Sequence, residues 1–168
     1  VKDADLLGKS GLTGVVKFES TKWPPSRTNF EYRDPDAPEM FSPSLIGKYS
    51  AKIEETIKRI ISGNGIALAY CQYIDGGVIP LALALESRGF RRAEQPSLFS
   101  TPKSEPLDVT TMKNTLNPIK QAKYVLITGD RSISQDNARA LRLCTRSTNR
   151  YGEDVKVIII SQAGSEGL

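Results

Sequence analysis

The sequence predicts an α/β fold, a doubly wound parallel sheet with helices on both of its faces. Three runs, residues 66–71, 123–128 and 155–160, are mostly apolar and do not alternate apolar with polar residues. Runs of this kind are typical of strands that are buried on both faces of a parallel sheet. Segments with helical periodicity or helix-capping residues separate the three runs, and alternating helices and strands favour this architecture.

Composition is typical of one globular domain and excludes several kinds of site. Of the 168 residues, 39% are hydrophobic, and no apolar stretch reaches the roughly 18 residues that a membrane-spanning helix needs. The chain has no histidine, so a Ser-His-Asp triad is excluded, and its two cysteines, Cys71 and Cys144, are too few for a zinc site. So few cysteines favour a reducing, intracellular compartment. The net charge of +4 slightly favours anionic partners.

Residues 1–48 are rich in residues that break regular structure. They include five prolines: Pro24, Pro25, Pro35, Pro38 and Pro43. One short run, residues 15–18, is predicted to form an edge strand, and the rest is predicted to be an irregular connecting arm. Residues 49–168 are predicted to form the α/β domain itself.

The first helix of that domain is predicted from a cap and an apolar face. Ser50 can cap its start, and the chain turns at residues 63–65. Four isoleucines fall on one side: Ile53, Ile57, Ile60 and Ile61. The strand 66–71 comes next and is predicted to be buried on both faces.

A second helix is predicted to begin near Val78 and to end at Gly89, with Leu81 and Leu85 on its inner side. Residues 97–99 are then predicted to form a short strand.

The proline-containing stretch 100–118 is predicted to be an inserted loop that leads to the buried strand 123–128. Ser134 is predicted to cap a third helix that extends to about Thr148. The strand 155–160 completes the series.

Three loops directly follow the predicted buried strands, namely residues 72–77, 129–132 and 161–167. Ligands of open parallel sheets gather at the carboxyl ends of the strands, and glycines there allow a phosphate to approach the backbone. Arg131 adds a positive charge, and Ser132 and Ser161 add hydroxyl donors. Together the loops predict a site for a phosphate-bearing ligand. Ordinary strand-to-helix turns, which favour the same residue types, are the alternative.

The third predicted helix also carries a row of arginines: Arg139, Arg142, Arg146 and Arg150. Their spacing places them on one side of a helix, where they can follow a nucleic-acid backbone. A solvated helix face without a binding role is the alternative.

The residues needed for ATP hydrolysis are missing from the sequence. Gly8, Lys9 and Ser10 look like the end of a P-loop, but Asp3 stands where its first glycine is required and no strand precedes it. No Asp-Glu pair follows a strand to hold magnesium and activate water. No catalytic residue and no metal ligand is therefore assigned.

Several segments together resemble the superfamily-2 helicases of large double-stranded DNA viruses, which include the poxvirus-type transcription-factor and transcript-release ATPases. AYCQYIDGG at 69–77 and the residues up to 90 resemble motif IV, and ISQAGSEGL at 160–168 resembles motif V. Residues 127–130 resemble the segment between these motifs that meets the nucleic-acid backbone. Residues 14–18 and 29–32 resemble the connection between the two helicase lobes, so the resemblance covers most of the chain.

The resemblance implies that residues 49–168 are a second RecA-like lobe that is cut off after motif V, because family members continue to motif VI with its arginine finger. It also implies ATP with Mg²⁺, bound mainly by the first lobe, as the cofactor. The implied partners are single-stranded or duplex nucleic acid and the first lobe of the same polypeptide, with no membrane. The implied location is intracellular, in viral factory cytoplasm or the virion.

Carried onto this sequence, the resemblance implies functional residues of two kinds. Contacts with nucleic acid are expected from Gln72, Gly76, Gly77, Thr128, Gly129, Asp130 and Ser161. Arg131, with its positive charge, is expected to contribute to the same contacts. Coupling to the ATP cleft is expected from Gly164, Glu166 and Gly167. The expected function is a fragment of an ATP-dependent helicase or translocase that does not hydrolyse ATP alone. A free-standing nucleotide- or phosphate-binding module, or a scaffold that binds only protein, are the alternatives.

Overall fold

The computed structural model describes residues 8–93 and 95–166. Its strands are β1 Val16–Lys22, β2 Pro25–Tyr32, β3 Ala67–Cys71, β4 Arg91–Arg92, β5 Lys123–Ile127 and β6 Val157–Ser161. Its α-helices are α1 Gly8–Val15, α2 Ile46–Tyr49, α3 Ala51–Ser62, α4 Ile79–Ser87, α5 Asn137–Cys144 and α6 Gln162–Ser165. Strands β3, β6, β5 and β4 pair in that order in one parallel sheet. The predicted α/β fold class is therefore confirmed.

Helices cover both faces of this sheet. On one face, Tyr124 and Leu126 of β5 belong to the large core that also contains the residues of α4 and the inner side of α3. On the other face, Val125 packs with Leu143 and Cys144 of α5. Alternate residues of one strand thus enter two different cores, as the pleat of a strand requires.

Helix α3 forms as predicted. The Ser50 hydroxyl accepts a hydrogen bond from the Ile53 amide at 3.2 Å, and Ile57 and Ile60 are buried against the sheet. Beyond its end, the Lys156 ammonium donates to the carbonyl oxygens of Gly63 and Gly65 at 2.7 and 2.6 Å. A positive charge at this end also interacts favourably with the helix dipole.

Helix α4 is the central helix of the domain. The chain enters it through a single π-helical turn, Ile74–Val78, and every residue of α4 except Pro80 is buried. The predicted inner residues Leu81 and Leu85 are among them. Gly89 ends this segment with φ +96°, and a Cβ there would lie 2.3 Å from the Glu105 carbonyl oxygen.

The prediction that β3 is buried on both faces is wrong. Leu68 and Tyr70 are 69% and 59% exposed, whereas the alternate residues Ala67, Ala69 and Cys71 are half-buried against the large core. The reason is position: within residues 8–93 and 95–166, β3 is an edge strand that pairs only with β6, and α5 packs over β5 on the outer face. An apolar run does not reveal how much of the sheet a helix covers.

Two further boundaries differ from the prediction. Residues 97–99 are not a strand of the sheet, since Phe99 forms only an isolated bridge with Phe30, and the short strand lies earlier, at β4. Ser134 does not cap the third helix. Asp136 does, by accepting from the Arg139 amide at 2.8 Å, because the Ser134 hydroxyl bonds to Thr128 instead.

The described part of the predicted irregular arm is regular for much of its length. Helix α1 leads into an antiparallel hairpin of β1 and β2, so the predicted edge strand exists but is longer. Phe18 stacks on Phe30 with ring centroids 4.8 Å apart, and Phe30 is fully buried in the same core as α4. The proline-rich composition concealed this because Pro24 and Pro25 occupy the turn and the first position of β2.

Candidate site at the carboxyl edge of the sheet

The three predicted loops lie side by side, as expected for parallel strands. Cys71 at the end of β3 is level with Ser161 at the end of β6, and Ile127 at the end of β5 is level with Ile160. The loop after β6 therefore lies between the other two. We call the surface formed by residues 72–77, 129–132 and 161–166 the carboxyl edge.

A residue of the N-terminal hairpin, Arg27 of β2, joins two of these loops. One guanidinium nitrogen, Nη1, donates to Asp75 Oδ1 at 2.5 Å, and the other, Nη2, donates to the Asp130 carboxylate. Its Nε donates to the Ser132 hydroxyl at 3.0 Å, and its backbone amide donates to the Ser132 carbonyl oxygen at 2.8 Å. Sequence reasoning missed Arg27.

Asp130 is ionised and accepts hydrogen bonds within this cluster. Partial burial raises the pKa of its carboxyl group, but hydrogen bonds from the Ser132 hydroxyl and amide and the adjacent Arg27 guanidinium outweigh that effect and leave the pKa below its ordinary value. Both carboxylate oxygens have donors, one from Ser132 and one from Arg27. The Asp130 amide also has a partner, since it donates to Thr128 Oγ1 at 3.1 Å. The groups of Asp130 that could meet a phosphate backbone are thus already engaged within the protein.

Two other predicted contact residues, Thr128 and Ser161, are buried. Thr128 Oγ1 lies 2.7 Å from Ser134 Oγ. The Ser161 hydroxyl accepts from the Gly164 amide at 3.2 Å and from the Gly129 amide at 3.4 Å. These side chains hold the loops together and do not face solvent.

The glycines of the carboxyl edge permit close packing between loops. A Cβ on Gly129 would lie 2.5 Å from Ala163 Cβ, and a Cβ on Gly164 would lie 2.2 Å from the Ile127 carbonyl oxygen. A Cβ on Gly77 would lie 3.1 Å from Cys71 Cβ, whereas a Cβ on Gly76 would have only ordinary contacts, the nearest at 3.5 Å. The sequence suggested glycines for phosphate approach, but at Gly129 and Gly164 the neighbouring loop or strand occupies that space.

The exposed part of the carboxyl edge is polar and aromatic. Gln72, Gly76, Gly129 and Arg131 are exposed there, as nucleic-acid contacts would have to be. Tyr73 is also 67% exposed, and it was not predicted as a contact although an aromatic residue in a ligand-edge loop is a usable signal.

Of the residues expected to couple to an ATP cleft, Gly164 is buried, Glu166 is exposed, and Gly167 lies outside the described residues. Across residues 8–93 and 95–166, no group of three or more histidine, cysteine, aspartate or glutamate side chains is placed to hold a metal ion. Nor does that part of the chain contain a helix long and apolar enough to cross a bilayer.

The predicted row of arginines is not continuous on one helix. Helix α5 ends at Cys144, so it carries Arg139 and Arg142 only. Arg146 precedes the 3₁₀ turn Ser147–Asn149, and the Arg150 guanidinium lies 5.4 Å from the Tyr151 ring centroid. The Asn149 side chain, which bonds to the backbone of Cys144 and Val155, holds this turn in place and interrupts the helix.

Comparison with protein-family models gives no match, and comparison with curated proteins gives none either. The helicase resemblance therefore depends on the motifs of the sequence itself.

Proposed function

We propose that this chain grips single-stranded nucleic acid at its carboxyl edge, as part of the second RecA-like lobe of an ATP-driven superfamily-2 helicase or translocase. The observation that carries the proposal is the exposure of Gln72, Tyr73, Gly129 and Arg131 on loops that the parallel sheet brings to one edge. The resemblance of the same loops to motifs IV and V supports it. With the resemblance we also propose an intracellular setting, in viral factory cytoplasm or the virion.

These exposed groups suit a strand whose bases are unpaired. Arg131 supplies a positive charge for the phosphate backbone, and the Gln72 amide can donate to phosphate or base oxygens. Tyr73 offers an aromatic face on which a base can stack regardless of its identity. This combination gives affinity without sequence selectivity, which is what a translocating protein requires.

The loops do not fit a triphosphate on their own. The Ser161 hydroxyl already accepts from the amides of Gly129 and Gly164, and Gly164 packs directly against the Ile127 carbonyl. These two amides are therefore not available to a phosphate. We propose that ATP and Mg²⁺ are held mainly by the first lobe and that this chain alone has no ATPase activity.

The packing suggests how a nucleotide-dependent movement would reach the grip. Helix α6 follows β6 directly, and Gly164 fixes it against β5 while Ala163 is positioned against Gly129. Because these residues are closely packed, a displacement of residues 162–166 by lobe closure would also displace residues 129–131. This coupling is part of the proposal for Gly164, Glu166 and Gly167.

Reversing the charge of Arg131 tests the proposed surface. For Arg131→Glu we expect an affinity for a single-stranded oligonucleotide of about 20 nucleotides that is roughly tenfold weaker at low salt, with a smaller salt dependence. Fluorescence anisotropy titrations at several salt concentrations measure both effects. The matched control is Arg150→Glu, which makes the same charge change at an exposed position before β6, at the amino edge of the sheet, and should change the affinity less than about twofold.

Equal weakening by the two variants would contradict specific binding at the carboxyl edge, since it would indicate either a net-charge effect or binding that includes the arginine row. Saturable binding of a mononucleotide by calorimetry, without any binding of single strands, would favour the free-standing phosphate-binding module.

A further inference from the structure

Arg27 is the one side chain of the N-terminal hairpin that bonds to the loops after both β3 and β5 within the described residues. Its side chain is only 12% exposed, and its guanidinium carbon lies 5.9 Å from the centroid of the Phe18 ring. The guanidinium therefore has a fixed orientation between Asp75 and Asp130. A planar fork with several donors is suited to joining two carboxylates in this way.

The charges of Arg27, Asp75 and Asp130 affect the electrostatic potential of the neighbouring carboxyl edge. Asp75 and Asp130 are about a quarter and a third exposed, and they lie in the loops that also carry Tyr73 and Arg131. With Arg27 in place, the two arginines balance the two aspartates. Without Arg27, one negative charge is uncompensated at the surface proposed to meet a polyanion.

The docking of the hairpin does not depend on Arg27 alone. Phe30 is fully buried in the main core, and its amide donates to the Leu98 carbonyl oxygen at 2.9 Å while its carbonyl accepts from Ser100. Val16 at the start of β1 is also fully buried. A protein without the Arg27 guanidinium is therefore expected to fold with the hairpin in place.

We propose that Arg27 is a positioning residue of the nucleic-acid surface, whose charge offsets Asp75 and Asp130 so that a polyanionic strand can approach the carboxyl edge. This inference rests on the proposed function, because it concerns the same surface. Arg27 itself does not contact the strand.

The test compares Arg27→Met with the double variant Arg27→Met/Asp75→Asn, which loses one positive and one negative charge and so keeps Arg131 and Asp130 in balance. Arg27→Met is expected to weaken single-strand binding about tenfold at low salt, although the residue lies beneath the proposed contact surface. The double variant is expected to return to within about twofold of the wild type, because it no longer carries the uncompensated carboxylate. Anisotropy titration gives the affinities, and circular dichroism checks that each variant is folded.

Each outcome decides a different point. Unchanged binding by Arg27→Met would overturn the proposed role, as would a double variant that binds as weakly as Arg27→Met, which would indicate that Arg27 acts only by joining the two loops. A wild-type protein that does not bind single strands would overturn the proposed function and this inference with it. Wild-type binding without rescue would overturn the inference alone.

Discussion

Replacing Gly164 with alanine is expected to destabilise the domain by about 1–3 kcal/mol and to displace the loop after β6. The added Cβ would lie 2.2 Å from the Ile127 carbonyl oxygen, 2.7 Å from the carbon of that carbonyl and 3.0 Å from Thr128 Cα. All three are backbone atoms at the end of a central strand, so they cannot rotate away as a flexible side chain could. Urea unfolding measures the loss as a lower midpoint at an unchanged slope.

A matched glycine on the same edge provides the control. A Cβ on Gly76 would meet its nearest atom, Gly8 Cα, at 3.5 Å, which is an ordinary contact. Gly76→Ala should therefore change the free energy of unfolding by less than about 0.5 kcal/mol. If both variants lose the same stability, the contact between α6 and β5 is not as tight as described.

Replacing Glu86 with alanine is expected to cost about 3–5 kcal/mol of stability, since it removes a buried charged acceptor. The Glu86 carboxylate accepts from the amides of Leu98 and Phe99 at 2.7 and 2.8 Å, and from the Tyr124 hydroxyl at 2.5 Å. The variant would leave these donors buried and unpaired, and the buried Arg92 would lose a nearby negative charge. Thermal or urea unfolding measures the loss.

The stability lost by Glu86→Ala should also depend on pH, which gives a second test of the role of Glu86. Burial raises the pKa of Glu86, and the hydrogen bonds from Tyr124, Phe99 and Leu98 only partly oppose it, so the pKa lies above the ordinary value. A raised pKa in the folded state contributes stability at acidic pH that is lost as the pH rises through that pKa. Glu86→Ala should therefore cost more near pH 4 than at neutral pH.

The exposed Glu55, which pairs with Arg59 on α3, is the control for this prediction. Its replacement by alanine should cost about 0.5 kcal/mol or less. A similar small cost for Glu86→Ala would contradict the assignment of Glu86 as the acceptor that ties residues 98 and 99 to α4.

Local pattern was enough to predict the strands and helices whose apolar residues are consecutive or periodic. It identified β5, β6 and α3 because each buries a continuous run or one regular face. It failed for β4, a strand of two arginines, and for the uncovered face of β3, because pairing and coverage are decided by distant segments.

For the site, too, local features could be predicted from the sequence, whereas contacts between distant segments could not. Convergence of the three loops could be predicted, since parallel strands place their carboxyl ends together. Arg27 could not, because Asp75 and Asp130 lie 48 and 103 residues away in sequence and no local motif links them. The packing role of Gly129 and Gly164 was also hidden, because a glycine in a loop is compatible with ligand approach and with close contact between chain segments alike.

The central claim, that nucleic acid binds at the carboxyl edge, is tested most directly by mapping a bound single strand on the folded chain. Backbone amide resonances would be followed by NMR while an oligonucleotide of about 20 nucleotides is added at low salt. We predict saturable shifts concentrated in residues 72–77 and 129–131. Shifts concentrated on α5 and residues 146–153, or no shifts at all, would contradict the claim.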